Sequence, residues 1–505
     1  MVHSLGLSLD PRSPEPLYRQ IFDQIVERIR SGTFPPGYRL PPTRALAEEL
    51  DAHRNTIVRA YADLESAGFV SSTVGRGTFV APQPSGGALH QPDSAGIPWA
   101  SLISRAAESE PLGRLDRLRH SAPHDAINLY KMQPAPELMP EELLRRCIEH
   151  TMRSLGPKVL GYVAREGLPR LRNLIAEDLQ RQGVPARAEN ILITTGSQQA
   201  LDLIARALIN PGDPFLVDES TYSGAIGILS SAGARLVGVP GDDHGPDMAA
   251  LDRLARPGTK GFYLMPGCNN PTGVCVSAER REALVAWSRR AGVPLIEDDY
   301  AADLYLDDRP APPAMRALDG DVIYTGTFSK KLIPALRIGF VLCPTALLPR
   351  LLPLKHSMDL GTSLLLQHAL AEFMERGYLR AHLNVVVPEY RRRRDALEAA
   401  LTKYLPPSMR WRSPQAGLVL WLPVPEWMSS DALFEEAQRQ GVLVSPSSLN
   451  AVDGRPRQGI RLTFAVEGPE RLAEGARRLA KAIQVLTTRM RQAPMAGAGA
   501  LTAHA

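Results

Sequence analysis

Apolar residues near the start of the chain recur with helical spacing. Leu17, Ile21, Ile25 and Ile29 lie four residues apart and form one face of a helix over 16–31, which Gly32 and the Pro35-Pro36-Gly37 cluster stop. A second helix starts with Thr43 as its N-cap and turns Leu46 and Leu50 inward. A third, over 54–68, buries Ile57, Tyr61 and Leu64. Residues 69–80 then alternate in part, broken by Gly75-Arg76-Gly77, where glycines suit the positive φ of a hairpin tip. Three helices followed by a two-stranded hairpin is the order of a winged helix-turn-helix.

From about 127 to 488 the pattern changes. Short apolar runs alternate with helical periods, as in βαβ units that build a largely parallel sheet. Between the two regions, 81–95 reads A-P-Q-P-S-G-G-A-L-H-Q-P-D-S-A and has too little apolar surface to order itself. These shifts divide the chain into a winged-helix domain over 14–81, a linker over 82–123, an α/β domain over 124–490 and a disordered tail over 491–505.

Composition adds limits. The 505 residues are 44% hydrophobic and 22% charged, an ordinary globular balance with no need of disulfides or a structural metal. The net charge of +4 is too slight to signal a nucleic-acid partner, so DNA binding requires a local patch. Within 16–80, eight arginines face seven acidic residues, and their placement matters more than their number. Arg44 opens the second helix, Arg54 and Thr56 the third, and Arg76 sits at the hairpin tip. Such positions meet phosphates and base edges when a recognition helix enters the major groove. The alternative is a packing module with solvated arginines.

Cys147, Cys268, Cys275 and Cys343 form no C-x-x-C pair and read as buried thiols of a reducing cytoplasm. No signal peptide and no apolar run of membrane-spanning length is present, which points to a cytoplasmic protein and no membrane partner. The histidines show no metal-ligand spacing, so no metal is expected. The run Arg391–Arg394 reads as a solvated helix face, with a second DNA patch as the alternative.

In the second region polar motifs stand at the ends of predicted strands, where open α/β sheets bind ligands. The strand 191–195 runs into Gly196-Ser197-Gln198-Gln199 and a helix, an anion seat. The strand 214–217 leads to Tyr222, and 262–265 leads to Asn269-Asn270-Pro271-Thr272-Gly273. After 293–296 come Glu297-Asp298-Asp299-Tyr300, and after 322–324 come Thr327-Phe328-Ser329-Lys330-Lys331, with Arg337 beyond. Each motif alone fits a core tyrosine, a turn asparagine, solvated acids or a surface lysine. In this order they specify pyridoxal 5'-phosphate binding. That chemistry needs a lysine for the aldehyde, a carboxylate for the pyridinium, donors to O3', a stacking ring and an arginine with a helix start for the phosphate.

The strings P-L-Y-R-Q-I, P-P-G-Y-R-L-P-P-T-R-A-L-A-E-E-L, R-N-T-I-V-R-A-Y, L-E-S-A-G-F-V and G-R-G-T-F-V closely resemble the GntR-type winged-helix DNA-binding domain. The resemblance implies that Arg44, Arg54, Thr56 and Arg76 contact double-stranded operator DNA. His53 departs from the pattern, since Ser or Thr more often caps the recognition helix there. It either alters helix entry or reads a base or phosphate itself.

Residues 128–466 resemble the fold-type I aminotransferases. T-F-S-K implies Lys330 as the cofactor lysine, with Ser329 beside it; Lys331 is its neighbour, and the motif register selects Lys330. D-D-Y implies Asp298 at the ring nitrogen, rather than Asp299, and Tyr300 at O3'; N-P-T-G adds Asn270 at O3'. Tyr222 corresponds to the stacking ring, Ser197, Gln198 and Arg337 to the phosphate site, and Arg461 in I-R-L-T-F-A to the arginine gripping a substrate carboxylate. Tyr162, in G-Y-V-A-R-E-G, resembles the tyrosine that reaches the cofactor phosphate of the neighbouring subunit.

The combined layout resembles the MocR/GabR-type transcriptional regulators. It implies an α+β winged helix-turn-helix joined to an α/β fold-type I aminotransferase-like domain, with a mixed, mostly parallel sheet and a small C-terminal subdomain. It also implies a head-to-tail homodimer that senses a small amino-compound effector by forming an external aldimine, Lys330 being displaced. The alternative is a working aminotransferase carrying a DNA-binding appendage, because Asn270 and the other residues needed for transamination are intact.

Overall fold

In the computed structural model the described residues are 7, 9, 16–30, 33–34, 37–66, 69–73, 77–81, 99–104, 106–108, 111, 113, 125–308, 310–452 and 457–492. Gly32, Pro35, Pro36, Gly75 and Arg76, most of the expected linker and the tail from 493 lie outside them. The chain divides into two compact units, Met1–Trp99 and Ala100–Ala505.

The first unit contains helices α1 (Leu17–Arg30), α2 (Thr43–Glu49) and α3 (Arg54–Ser66) and strands β1 (Val70–Thr73) and β2 (Gly77–Val80). The strands pair antiparallel, Val70 opposite Val80. Ile21, Ile25, Ile29, Leu46, Ile57, Tyr61 and Leu64 close one core, which Leu7 joins from ahead of α1. A fully buried side chain such as Leu46 contributes roughly 1.5–3 kcal/mol. Thr43 is not the N-cap. Pro42 occupies that position without a side-chain cap, and its carbonyl accepts from the Leu46 N–H at 3.1 Å. The Pro41-Pro42 pair stiffens the entry, so Thr43 is already helical. Leu50 ends the helix half-buried.

The second unit is built on a seven-stranded sheet. Its order is Ile191–Thr194, Gly339–Leu342, Ile323–Thr327, Leu295–Asp299, Phe262–Leu264, Pro214–Asp218 and Arg235–Val239. Only Gly339–Leu342 runs antiparallel to its neighbours. The run at 293–296 starts its strand later than expected, and Glu297, Asp298 and Asp299 lie inside the strand rather than after it. Pairing with Tyr324, Thr325 and Gly326 carries the ladder through them. Glu297 accepts the N–H groups of Met315 and Arg316 at 3.1 and 2.9 Å, a structural task.

A smaller antiparallel sheet joins Val419–Pro423, Gly459–Thr463 and Ser445–Pro446. Helices Tyr378–Tyr404, Ser430–Arg439 and Pro469–Gln492 share one apolar core with it. The arginine run lies on Tyr378–Tyr404, and its expected solvated face is corrected in part by the packing. Arg393 and Arg394 are 3% and 9% exposed, held by Glu137 and Glu389 and by Asp307. Arg391 and Arg392 stay at the surface, where they pair with Asp308 and Glu389, so the solvated face holds for half of the run. All four cysteines are free and buried. Among the described residues no helix is long and apolar enough to cross a membrane.

Candidate functional site

The sheet and the small subdomain bring the strand-end motifs to one cavity of about 430 Å3. Lys330, three residues past strand Ile323–Thr327, lines it, and its ammonium donates to the Met132 carbonyl. Burial, then the Arg461 and Arg337 charges, lowers its pKa to about 8. Asp298 lies on the wall from strand Leu295–Asp299. Its Oδ2 accepts from the Tyr263 hydroxyl at 2.7 Å, whereas its buried Oδ1 has no partner. Burial raises this carboxyl to about 6. The Tyr300 hydroxyl is also buried without a hydrogen bond to oxygen or nitrogen, with only the weakly accepting Cys268 thiol beside it. Two orphaned polar atoms on residues that line one cavity mark places that a polar ligand would satisfy.

Strand Ile191–Thr194 delivers Gly196 and then helix Ser197–Leu208, whose start carries no side-chain cap. Gly196 has φ +83°, and a Cβ there would lie 2.6 Å from Arg337 Nη2. The close approach of Arg337 to this turn therefore requires glycine. Arg337 itself adopts φ +49° and donates to the Thr195 carbonyl at 3.2 Å, a strained backbone held at a site. Ser197, Gln198, Ser329 and Arg337 all line the cavity, so open helix N–H groups and a guanidinium converge as an anion seat. Tyr222 lines it too, its hydroxyl accepting from Gln198 at 3.2 Å. Behind the turn, Asp359 accepts from Thr195, Gln199 and the fully buried Lys355 and braces the seat.

Arg461 comes from strand Gly459–Thr463 and is 8% exposed. It donates to Asn270 Oδ1 and to the Tyr130 carbonyl, each at 2.9 Å, while Nε has no acceptor. Among the described residues no carboxylate lies within ion-pair distance of it. A buried guanidinium left without a counter-charge is costly unless an anionic ligand supplies one. Because Asn270 Oδ1 faces Arg461, the amide nitrogen of Asn270 is free to face elsewhere.

The geometry separates the adjacent candidates. Lys331 points away into an ion pair with Asp303 at 2.6 Å, and Asp299 accepts from Tyr324 at 2.8 Å; neither lines the cavity. Successive strand residues face opposite sides, which is why Asp298 and Asp299 part. Asn269 is spent on Asp218 and the Ser220 carbonyl. Tyr162 is 85% exposed and lines no part of the cavity. Sequence reasoning missed Tyr263, Tyr130 and Met132. Tyr263 stands one strand from Asp298, and only the parallel pairing of the two strands brings them together.

In the first unit Arg44 and Arg54 are exposed at the starts of α2 and α3, and Thr56 is half-buried. His53 Nδ1 accepts from the Asn55 N–H at 3.2 Å, so this side chain caps α3. Arg76 lies outside the described residues.

Known proteins share both units. The family of aminotransferases of class I and II matches residues 126–479. The gntR family of bacterial regulatory proteins matches residues 17–80. The chain is 33% identical to the probable rhizopine catabolism regulatory protein MocR of Rhizobium meliloti, over 95% of this chain and 96% of that one. It is 34% identical to a 2-aminoadipate transaminase of Thermus thermophilus, over 70% of this chain and 89% of that one. A crystal structure of the α-aminoadipate aminotransferase LysN from Thermus thermophilus, complexed with N-(5'-phosphopyridoxyl)-L-leucine, superposes with a TM-score of 0.72. It is 30% identical and covers 78% of this chain and all of that one. With a gntR-type helix-turn-helix ahead of a class I/II aminotransferase fold, and with a MocR protein matched from end to end, the chain belongs to the MocR-type family of transcriptional regulators.

Proposed function

We propose that this protein is a DNA-binding regulator whose aminotransferase-like domain holds pyridoxal 5'-phosphate and senses an amino compound carrying a carboxylate. One observation carries the reading. A single cavity gathers Lys330, the unpartnered Asp298 Oδ1 and Tyr300 hydroxyl, and the uncompensated Arg461. These unsatisfied groups fit the cofactor in kind and number. Lys330 is the amine that holds it, Asp298 the carboxylate for its ring nitrogen, Tyr300 and Asn270 the donors for its phenolic oxygen, and Tyr222 the stacking ring. Arg337, Ser197, Gln198 and Ser329 hold its phosphate, with Tyr162 reaching in from the partner of a head-to-tail homodimer.

Bound there, the cofactor would supply an aldehyde reactive toward amines and an electron-withdrawing ring. The chain does the rest. Lys330, its free amine brought to about 8 by burial and by the Arg461 and Arg337 charges, would give up its proton at Nζ with little cost near neutral pH and so could hold the cofactor's aldehyde. Arg461 binds the effector carboxylate and orients the amine. A regulatory response then requires the effector to bind two states of the protein unequally. Arg44, Arg54, Thr56 and Arg76 meet the operator.

The test is the visible absorbance of protein purified with the cofactor. Wild type shows a band that Lys330→Ala lacks, and amino acids titrate it. A colourless wild type contradicts the site. The intact set around Asn270 also favours a second reading, a working aminotransferase. Multiple turnover with a 2-oxo acid acceptor at roughly 1–10³ s⁻¹ would establish it.

A further inference from the structure

A second hollow, of about 290 Å3, shares the Asn270–Gly273 turn with the cofactor cavity but no lining residue. Asn270 faces the first; Thr272 and Gly273 face the second. Its remaining walls come from Asp243, Val274, the segment 410–414, strand Val419–Pro423 and Arg457, all within the second unit.

The charge in this hollow is unbalanced. Arg410, Arg412 and Arg457 line it against one carboxylate, Asp243. Arg412 donates to the Asp243 backbone carbonyl, and Arg457 approaches the Asp243 carboxylate only to 3.9 Å. Arg410 has no acidic partner among the described residues. Guanidiniums gathered on a concave surface focus a positive field and raise the local concentration of anions.

A second observation points the same way. Trp421 lines the hollow at 6% exposure, and its buried indole N–H, a donor only, has no acceptor among the described residues. By contrast the Trp411 N–H is satisfied by Glu398 at 3.0 Å. The place of Trp421 is built into the sheet, since a Cβ on Gly459 would lie 2.4 Å from the indole. Trp421 is also the ladder partner of Arg461, so the two side chains leave the same face of the small sheet.

We infer that this hollow binds a small ligand with an oxyanion group, carboxylate or phosphate, on an apolar body. The oxyanion meets the arginines, and the body lies against the two indoles and Pro414. The site is separate from the amine-sensing cavity, and the inference stands whether or not that cavity senses amines. Its walls carry Gly273 and Trp421, so occupancy bears on the elements that present Asn270 and Arg461.

Calorimetric titration of the cofactor-loaded full chain with inorganic phosphate, and separately with benzoate, tests it. Loading fills the cofactor's own phosphate seat, and the visible band reports any ligand that enters that cavity. At least one probe should bind saturably, one per chain, without moving the band. Phosphate alone identifies a phosphate ester as the source, and benzoate alone a carboxylate. The double variant Arg410→Gln/Arg457→Gln should weaken binding at least about tenfold with the band intact. Trp421→Phe should weaken it less while retaining the ring. Absence of saturable binding by either probe, wild-type affinity in the double variant, or binding that moves the band and is lost in Arg461→Gln overturns the inference.

Discussion

Asp298 is a carboxylate that the fold buries at a cost. Its folded value of about 6 lies above the ordinary 3.8, with burial as the main cause. The folded chain therefore holds this proton more tightly than the unfolded chain. The group's contribution to stability is full below the ordinary value and is lost as pH rises through about 6. In cofactor-free protein, Asp298→Asn should resist urea better by roughly 1–3 kcal/mol at about pH 8, with the gain shrinking toward about pH 4. An equal gain at both pH values contradicts the burial argument. The same variant should bind the cofactor weakly, the trade expected where a site is kept at the expense of stability. Asp298, Lys330 and Arg461 were legible in the sequence because each sits in a short motif. Tyr263 was not, because its hydroxyl reaches Asp298 across a strand pairing that no local pattern encodes.

Among the elements, the turn from strand Ile191–Thr194 into helix Ser197–Leu208 couples backbone conformation most tightly to binding. Gly196→Ala places a methyl 2.6 Å from the Arg337 guanidinium at a φ of +83°. Arg337 must then shift, and cofactor affinity should fall about tenfold or more, as expected when one charge-assisted hydrogen bond is broken. Fluorescence titration of cofactor-free protein measures this; unchanged affinity contradicts the role of the turn. The alternation of strands and helices was readable from apolar spacing, and so was the glycine at this turn. Element ends were less so. Thr43 lost the cap to Pro42, and the acidic run at 297–299 was drawn into its strand by pairing with Tyr324, Thr325 and Gly326. Arg393 and Arg394 read as solvated because two of their partners, Glu137 and Asp307, are remote in sequence.

For the molecule as a whole, two modules with separate chemistry were evident from the break in composition and from motifs confined to each side of it. In the function proposed above, the first unit reads DNA through a few placed arginines rather than net charge. Arg54→Ala should therefore weaken operator binding while leaving the visible band intact. The salt slope of binding should become shallower by about 0.9 for each phosphate that Arg54 neutralises. Unchanged binding would show that α3 is not the recognition helix. The link between the modules is open to direct measurement: the affinity of wild type and Lys330→Ala, both supplied with cofactor, for DNA from the gene's own upstream region, titrated with a panel of amino acids and amines. At least one compound should shift the wild-type affinity and leave that of Lys330→Ala unmoved. An equal shift in both proteins would contradict sensing through Lys330, and so would no shift in wild type with any compound that titrates its visible band.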